Sequence, residues 1–194
     1  MMTPFHDHFS AHIKVVEASI EALGTSALAA GDAIAKSLLA GGKVLTFGNG
    51  GSSAEASHLA EELVGRFRKT RRPYPAICLT SDSGTVTCIS NDFGYGALFE
   101  RQVEAFARAG DIAVALTTSG RSENIVRGLI AARNQGAVTI ALTGEAGLAG
   151  AEADHVLAVP SSDSALIQEV HLMLIHVFCE AVDAVSVYPG SDQP

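Results

Sequence analysis

The sequence predicts an α/β fold in which one parallel sheet of five strands lies between two layers of helices. The first observation behind this prediction is the rhythm of the chain, because short β-type apolar runs alternate with stretches of helical spacing. The second is that these runs are continuously apolar, which is typical of parallel strands covered on both faces. The predicted strands are 43–47, 76–80, 112–117, 138–143 and 155–159.

The first forty residues carry helical spacing and few helix breakers. We predict two helices there, with a break near Gly24-Thr25-Ser26 and an end at Gly41-Gly42. Both are rich in alanine and weakly amphipathic, so they either simply cover the sheet or pack against another subunit, and spacing leaves both alternatives open. The later predicted helices are 53–68, 85–89 with 98–107, 122–135 and 164–187, and residues 91–96 are predicted to form a turn.

The chain is long enough for one complete domain with a hydrophobic core, but it is short for two. It has 194 residues, of which 47% are hydrophobic and 18% charged, as in an ordinary globular protein. We therefore expect one domain over residues 1–194, with N-terminal helices at 1–41 and an α/β core at 42–187.

Composition excludes several classes of function. The formal net charge of −8 argues against nucleic-acid binding, which needs a basic surface. It still allows a phosphate ligand, because backbone N–H groups at a helix start bind anions without Lys or Arg. Three well-separated cysteines inside apolar runs indicate reduced thiols and a cytoplasmic protein. The start of the chain has no signal-like apolar run, and the longest apolar stretches have strand length, so we expect no membrane span.

Two polar loops follow predicted strands, at the edge where parallel sheets bind their ligands. The first is Gly48-Asn49-Gly50-Gly51-Ser52-Ser53, whose glycines allow the backbone to turn tightly and approach a ligand. The second is Thr117-Thr118-Ser119-Gly120-Arg121-Ser122, which places four hydroxyl groups at the start of a helix. Each loop alone is compatible with an ordinary strand-to-helix turn, whereas the two together favour phosphate binding.

The helix after the first loop carries His58 and Glu62 at positions i and i+4, so their side chains share one face. A carboxylate near a strand-end pocket can act as a general base, and with a histidine one turn away it can also hold a metal. Glu55 and Glu61 lie close to the same face, so spacing does not decide between the glutamates. Spacing alone favours a plainer interpretation, a His–Glu pair on a solvated surface.

Three polar residues, Gln168, His171 and His176, interrupt the strongly apolar last helix. Either histidine could join Gln168 in a site, and a buried histidine with a satisfied hydrogen bond is the plainer interpretation of each. Asn91 and Asp92, in the turn predicted after the second strand, either form that turn or bind sugar hydroxyls.

Taken together, these segments resemble the SIS (sugar isomerase) domain family. The matching stretches are GGKVLTFGNGGSSAEASHLAEELVGRFR, RPYPAICLTSDSGTVTCISNDFGYGALFERQV, GDIAVALTTSGRSENIV and SALIQEVHLMLIH, which run through almost the whole chain. The resemblance implies a flavodoxin-like sheet and a homotetramer with active sites at subunit interfaces. It also implies a ketose–aldose isomerase that converts sedoheptulose 7-phosphate to D-glycero-D-manno-heptose 7-phosphate through an enediol.

The resemblance also implies roles for individual residues, with Glu62 as the base and His176, in preference to His171, as the partner acid/base. The implied substrate-binding residues are Asn49, Gly50, Gly51, Ser52, Ser53, Glu62, Arg66, Asn91, Asp92, Thr117, Thr118, Ser119, Ser122 and Gln168. The implied ligands of one zinc ion per subunit are His58, Glu62, Gln168 and His176. Leu166 and Ser164 depart from the family pattern, which often has a basic residue and a threonine there, so the resemblance does not settle the exact substrate.

Two other functions compete with this one. A non-catalytic SIS module binds the replication initiator DnaA, but that type lacks the glutamate and the second histidine that this chain has as Glu62 and His176. An isomerase of another sugar phosphate, such as arabinose 5-phosphate or a hexose phosphate, usually resembles this chain less between Gln168 and His176. Both comparisons favour the heptose phosphate isomerase.

Overall fold

The computed structural model describes residues 3–186. The strands are β1 (Val44–Gly48), β2 (Ala76–Cys78), β3 (Ile112–Leu116), β4 (Val138–Thr143) and β5 (His155–Ala158). The helices are α1 (Pro4–Leu39), α2 (Gly51–Val64), α3 (Ser83–Phe93), α4 (Leu98–Phe106), α5 (Glu123–Asn134) and α6 (Ser164–Val185), and a short 3₁₀ turn spans Tyr95–Ala97. The predicted end of the last helix at residue 187 lies just outside the described residues.

All five strands are parallel, in the order β2-β1-β3-β4-β5. This is the flavodoxin-like order, in which the chain starts in the middle of the sheet and changes direction between β1 and β3. Helices α1, α2 and α6 cover one face, and α3, α4 and α5 cover the other. The predicted three-layer fold is therefore confirmed.

The alternation of side chains along β1 shows why both faces need helices. Val44 belongs to the core under α1, α2 and α6, whereas Leu45 and Phe47 belong to the core under α4 and α5. Every residue of β1 is buried. Successive side chains of a strand point to opposite faces, so a continuously apolar strand stabilises two cores at once.

The prediction of two N-terminal helices was wrong, because α1 is one continuous helix of 36 residues. A glycine inside a helix costs only about 1 kcal/mol relative to alanine, and Leu23 and Ala27 on either side of Gly24 are buried against α6. The hydroxyl of Ser26 donates a hydrogen bond to the carbonyl oxygen of Leu23, 3.0 Å away, so this polar side chain is accommodated within the helix. The predicted end is confirmed at Gly41, whose φ of 92° leaves the helical region.

Residues 91–96 do not form a single turn as predicted. Asp82 caps α3 by accepting a hydrogen bond from the backbone N–H of Gly84, and the helix then continues through Asn91 and Asp92 to Phe93. Gly94, with a φ of 83°, ends the helix. Asn91 and Asp92 therefore lie in the last helical turn.

The prediction that the longest apolar stretches have strand length was wrong, because α6 is an apolar helix of 22 residues. Among residues 3–186 it is the one helix whose length and composition would allow it to cross a membrane, with a mean hydropathy of 1.5 over its most apolar window. Half of that window is buried inside the protein, where Ile175, Phe178 and Cys179 contribute to the core under α1 and α2. These contacts are those of a core helix.

Candidate active site

A small polar cavity lies where β1 and β3 end, between the starts of α2 and α5 and the first turns of α6. Both loops singled out in the sequence contribute to it. Its volume is about 80 Å³. The lining residues are Asn49, Ser52, Leu116, Thr117, Thr118, Ser119, Ser122 and Gln168.

Two helix N-termini border this cavity, and neither has a side-chain cap within the described part of the chain. Helix α2 starts after Gly50, which has no side chain, and the hydroxyl of Ser122 at the start of α5 makes no capping hydrogen bond. By contrast, Thr3, Asp82 and Asp163 cap α1, α3 and α6 with their side chains. Uncapped N–H groups and the positive ends of two helix dipoles favour an anion here.

At two glycines around the cavity, another part of the chain lies so close that a Cβ atom would collide with it. A Cβ atom on Gly120, which has a φ of 65°, would lie 1.7 Å from the carbonyl oxygen of Gly147. A Cβ atom on Gly51 would lie 2.6 Å from the side-chain amide of Gln168, so Gly51 lets α6 reach the start of α2. Position 120 therefore requires glycine, whereas at position 51 the amide at the end of the flexible Gln168 side chain would have to move.

Asn124 and Tyr95 belong to this region, and sequence reasoning missed both. The side-chain amides of Asn49 and Asn124 exchange two hydrogen bonds of 2.9 Å, and the hydroxyl of Tyr95 donates to Asn49 Oδ1 at 2.8 Å. Asn124 is 3% exposed. A polar residue two positions after the hydroxyl loop, at the start of an amphipathic helix, was the available signal.

Next to the cavity, α2 and α6 bring together His58, Glu62 and His176. The Nε2 atoms of the two histidines lie 3.2 Å apart, and His58 Nε2 lies 3.5 Å from Glu62 Oε1. Within residues 3–186 this is the one group of three such side chains whose donor atoms all lie within 4.8 Å of one another. His58 and Glu62 are therefore not a plain surface pair.

The donor set of this group fits zinc. Two imidazole nitrogens and one carboxylate oxygen are typical ligands of a catalytic zinc site, which keeps a fourth position open. Bonds of about 2.0–2.1 Å in a tetrahedron separate the ligand atoms by about 3.3 Å, close to the two distances above. Gln168, the fourth ligand that the resemblance implies, lies two turns earlier on α6 with its amide against Gly51.

Two further side chains contact these histidines. The ring of Phe67 stacks on the imidazole of His176, with centroids 5.2 Å apart and planes at 24°. Glu61, an exposed residue, places Oε2 3.4 Å from Nδ1 of His58. Glu61 therefore lies outside the group of three, on the solvent side of His58.

The remaining candidates of the last helix and of α2 lie in different surroundings. His171 is fully buried and its Nε2 donates to the carbonyl of Thr143 at 3.2 Å. Burial lowers the pKa of His171 to about 4. Burial also raises the pKa of Glu55 to about 7, against a smaller opposite effect of its hydrogen bond to Ser52.

Several residues implied by the resemblance do not line the cavity. Ser53 lies 2.6 Å from the hydroxyl of Thr80. Gly50, Arg66, Asn91 and Asp92 are exposed, and Asn91 donates a hydrogen bond to Asp92 at 2.7 Å.

A second polar group, which the sequence did not suggest, joins α1 to α6. Glu169 places one oxygen 2.7 Å from Nε2 of His8 and the other 2.7 Å from Nδ1 of His12. These contacts connect the exposed N-terminal half of α1 to the start of α6.

Comparison of the sequence and comparison of the structure with those of known proteins identify the same family. The SIS domain family matches residues 7–144. The phosphoheptose isomerase of Aquifex aeolicus is 54% identical over 151 residues, which cover 77% of this chain and 79% of that protein. The phosphoheptose isomerase of Roseiflexus is 44% identical over 180 residues, covering 91% and 90% of the two chains.

The solved structure of a phosphoheptose isomerase from Francisella tularensis is similar over most of its length. The TM-score is 0.89 at 36% sequence identity, and the match covers 94% of this chain and all of the other. The helix α1, the five-stranded sheet and α6 therefore all fall within the shared fold.

Proposed function

The chain belongs to the SIS domain family and, within it, to the phosphoheptose isomerases, and on this premise we propose that it interconverts sedoheptulose 7-phosphate and D-glycero-D-manno-heptose 7-phosphate. The observation that carries the proposal is the meeting of Glu62 and His176, on the helices α2 and α6 that also border the cavity lined by hydroxyl groups. A cavity for an anion and a base close to a histidine are the two parts that a sugar-phosphate isomerase needs.

We place the phosphate group in the polar cavity. The hydroxyls of Thr117, Thr118, Ser119 and Ser122 supply hydrogen-bond donors, and the uncapped starts of α2 and α5 favour the negative charge. Binding energy at the phosphate fixes the orientation of the sugar, so that its C1 and C2 carbons face the reacting side chains. Asn49, which also lines this cavity, is held in one orientation by Asn124 and Tyr95.

We assign the proton transfers to Glu62 and His176. Glu62 removes a proton from C1 of the ketose and returns it to C2, while His176 moves a proton from the C1 hydroxyl to the C2 oxygen through the enediol. No atom is gained or lost, and both groups return to their starting state. Their donor atoms lie within 4.8 Å of each other, which lets one substrate contact both.

We propose zinc as the cofactor, held by His58, Glu62, Gln168 and His176, of which Gln168 has its amide against Gly51. A zinc ion would stabilise negative charge on the sugar oxygens as the enediol forms. A carboxylate has two oxygens and an imidazole has two ring nitrogens, so Glu62 and His176 can each face the metal with one atom and transfer a proton with the other. Asn91, Asp92 and Arg66 stay proposals as sugar contacts, and their exposed positions are compatible with a site completed by a neighbouring subunit.

We propose a homotetramer in the cytoplasm. An apolar groove of about 330 Å³ runs between α1 and α6 and is lined by residues such as Val16, Leu23 and Met173. Ile20 and Leu28 beside it remain 66% and 64% exposed in the single chain. Exposed apolar patches of this kind mark protein interfaces, so light scattering after size-exclusion chromatography is expected to give four times the chain mass.

The function is tested by incubating the purified protein with sedoheptulose 7-phosphate and measuring the aldose product. We expect turnover by the unmodified protein and a loss of at least about 100-fold in kcat in Glu62→Gln and His176→Ala. Arabinose 5-phosphate and a hexose phosphate serve as competing substrates. Turnover restricted to one of those sugars would contradict the proposed substrate, and the absence of turnover with binding to a replication initiator would contradict the enzyme.

A further inference from the structure

The segment between α2 and β2 passes across α6 and places the ring of Phe67 on His176. We propose that Phe67 is a positioning residue that fixes the plane of the His176 imidazole, and that the buried pair of Arg71 and Asp183 anchors it there. The inference rests on the proposed function, because it assigns a purpose to the orientation of His176. It concerns residues outside the set that contacts the substrate or a metal.

Two rings restrain the imidazole of His176. Phe67 lies against its face, with planes at 24°, and His58 meets it at 64° with centroids 5.5 Å apart. Rotation of the imidazole about its last side-chain bond would move Nε2 away from His58 and would lose the stacked contact with Phe67. The stacked ring of Phe67 therefore keeps Nε2 directed toward the group formed with Glu62.

Asp183 ties the segment that carries Phe67 to the helix that carries His176. Its carboxylate accepts hydrogen bonds from the backbone N–H groups of Arg68 and Lys69, at 3.1 and 3.0 Å, and from Nε of Arg71 at 2.9 Å. Asp183 follows His176 by seven residues on α6, which is two turns along nearly the same face. The two residues after Phe67 are thus fixed relative to His176.

The guanidinium of Arg71 extends the anchor to the helix that carries Glu62. It donates to the carbonyl oxygen of Glu62 at 2.7 Å and to that of Leu63 at 2.9 Å, in the last turn of α2. The side chains of Arg71 and Asp183 are only 1% and 5% exposed. Because breaking a buried, fully hydrogen-bonded ion pair is strongly destabilising, the pair holds α2 and α6 at a set distance next to the site.

A purely structural role for Phe67 predicts a different result from a positioning role. If the ring only fills space, replacement by another apolar side chain lowers stability and leaves the properties of His176 unchanged. If the ring orients His176, the same replacement changes metal affinity and kcat while KM for the phosphorylated sugar stays nearly constant. The phosphate cavity lies elsewhere, so KM reports on a region that Phe67 does not touch.

The experiment compares Phe67→Leu, the conservative Phe67→Tyr, and Phe106→Leu, which removes an exposed ring on α4 far from the site. For Phe67→Leu we expect kcat with sedoheptulose 7-phosphate to fall by about 10- to 100-fold, as small misplacements of reacting groups do, with KM within about twofold. Phe67→Tyr and Phe106→Leu are expected to stay within about threefold of the unmodified protein.

Two readouts do not depend on activity. Titration of metal-free protein with Co²⁺, followed by visible absorption, should show weaker binding in Phe67→Leu than in Phe67→Tyr. The nuclear Overhauser contact between the ring protons of His58 and His176, whose Nε2 atoms lie 3.2 Å apart, should persist in Phe67→Tyr and weaken in Phe67→Leu, because the imidazole then rotates freely.

Unchanged kcat, Co²⁺ affinity and His58–His176 ring contact in Phe67→Leu would overturn the inference, as would equal damage in Phe67→Tyr. If the unmodified protein does not turn over the sugar, the proposed function fails, while Co²⁺ binding and NMR still decide whether Phe67 orients His176. If Phe67→Leu does not fold, Phe67→Met is measured in the same way.

Discussion

At one end of the candidate site, the polar cavity is built from two loops that directly follow strands, with hydroxyl groups and helix N-termini as its main features. At the other end, His58, Glu62 and His176 come from two helices, and the two histidines are 118 residues apart in the sequence. The cavity depends mostly on backbone geometry at the edge of the sheet. The His–Glu–His group depends on how α2 and α6 pack.

In the proposed mechanism, the polar cavity binds the phosphate group and the His–Glu–His group carries out the proton transfers. A cavity that grips the phosphate in the same way in substrate and transition state mainly changes KM, whereas groups that act on the reacting carbons mainly change kcat. Substitutions at the two ends are therefore expected to give opposite kinetic patterns. Four predictions test this contrast.

The largest expected effect is at Glu62. Glu62→Gln keeps the shape of the side chain but removes the base, so kcat should fall by about 10²- to 10⁴-fold while KM changes little. Glu61→Gln is the matched control, since Glu61 is a neighbouring exposed glutamate of the same helix. Steady-state kinetics with sedoheptulose 7-phosphate measure both. A loss of kcat in Glu61→Gln as large as in Glu62→Gln would contradict the proposed role of Glu62 as the base.

A second effect concerns the metal. His58→Ala should lower zinc affinity by at least about 100-fold, because it removes one of the proposed protein ligands. His155→Ala, on β5 away from the site, is the control. Metal content after dialysis, measured by atomic spectroscopy, gives the result. Equal zinc content in both variants would exclude the proposed ligand set.

A smaller effect is expected at the phosphate end. Ser122→Ala removes a hydroxyl that makes no capping hydrogen bond and faces the cavity. Loss of one hydrogen bond to a charged group costs about 1.5–3 kcal/mol, so KM should rise by roughly tenfold or more with kcat within about threefold. Ser162→Ala, at an exposed position, should leave both constants unchanged. A fall in kcat at constant KM would place Ser122 at the chemical end instead.

The smallest functional effect is expected for the histidine that lies outside the site. Burial lowers the pKa of His171 to about 4 from 6.5. The unfolded chain therefore binds more protons between those pH values, and stability is lost as pH falls from 6.5 to 4, by an amount on the order of 3 kcal/mol. His171→Leu should reduce this pH dependence, with kcat at neutral pH within about threefold.

Urea unfolding of metal-free protein at pH 7 and pH 4.5 measures that change. Carboxyl groups contribute equally in both proteins, so the difference between their pH dependences isolates His171. The prediction fails if the two proteins lose the same stability on acidification.

The fold was predictable to a large extent because its signals are local. Continuously apolar runs identified the strands, and glycines and hydroxyl residues after β1 and β3 identified the polar cavity. The break predicted near Gly24 did not occur, because burial of Leu23 and Ala27 against α6 outweighs a weak local preference. Helix propensity depends on neighbouring residues in the sequence, whereas packing depends on residues that are distant in the sequence.

The His–Glu–His group could not be predicted from spacing. Periodicity left Glu55, Glu61 and Glu62 equivalent, and it left His171 and His176 equivalent. Only the crossing of α2 and α6 decides which of them meet, and that crossing depends on contacts between distant parts of the chain, such as Arg71 with Asp183. The resemblance to a known family supplied what spacing lacked.

The three cysteines have a practical consequence. Cys78 and Cys179 are buried, and burial raises the pKa of Cys179 to about 12, so neither thiol is reactive at neutral pH. Cys88 is exposed, and its sulfur lies 3.7 Å from Asp92 Oδ2. A maleimide fluorophore would therefore label each chain at one position, and its emission would test the proposed contact between the sugar and Asp92.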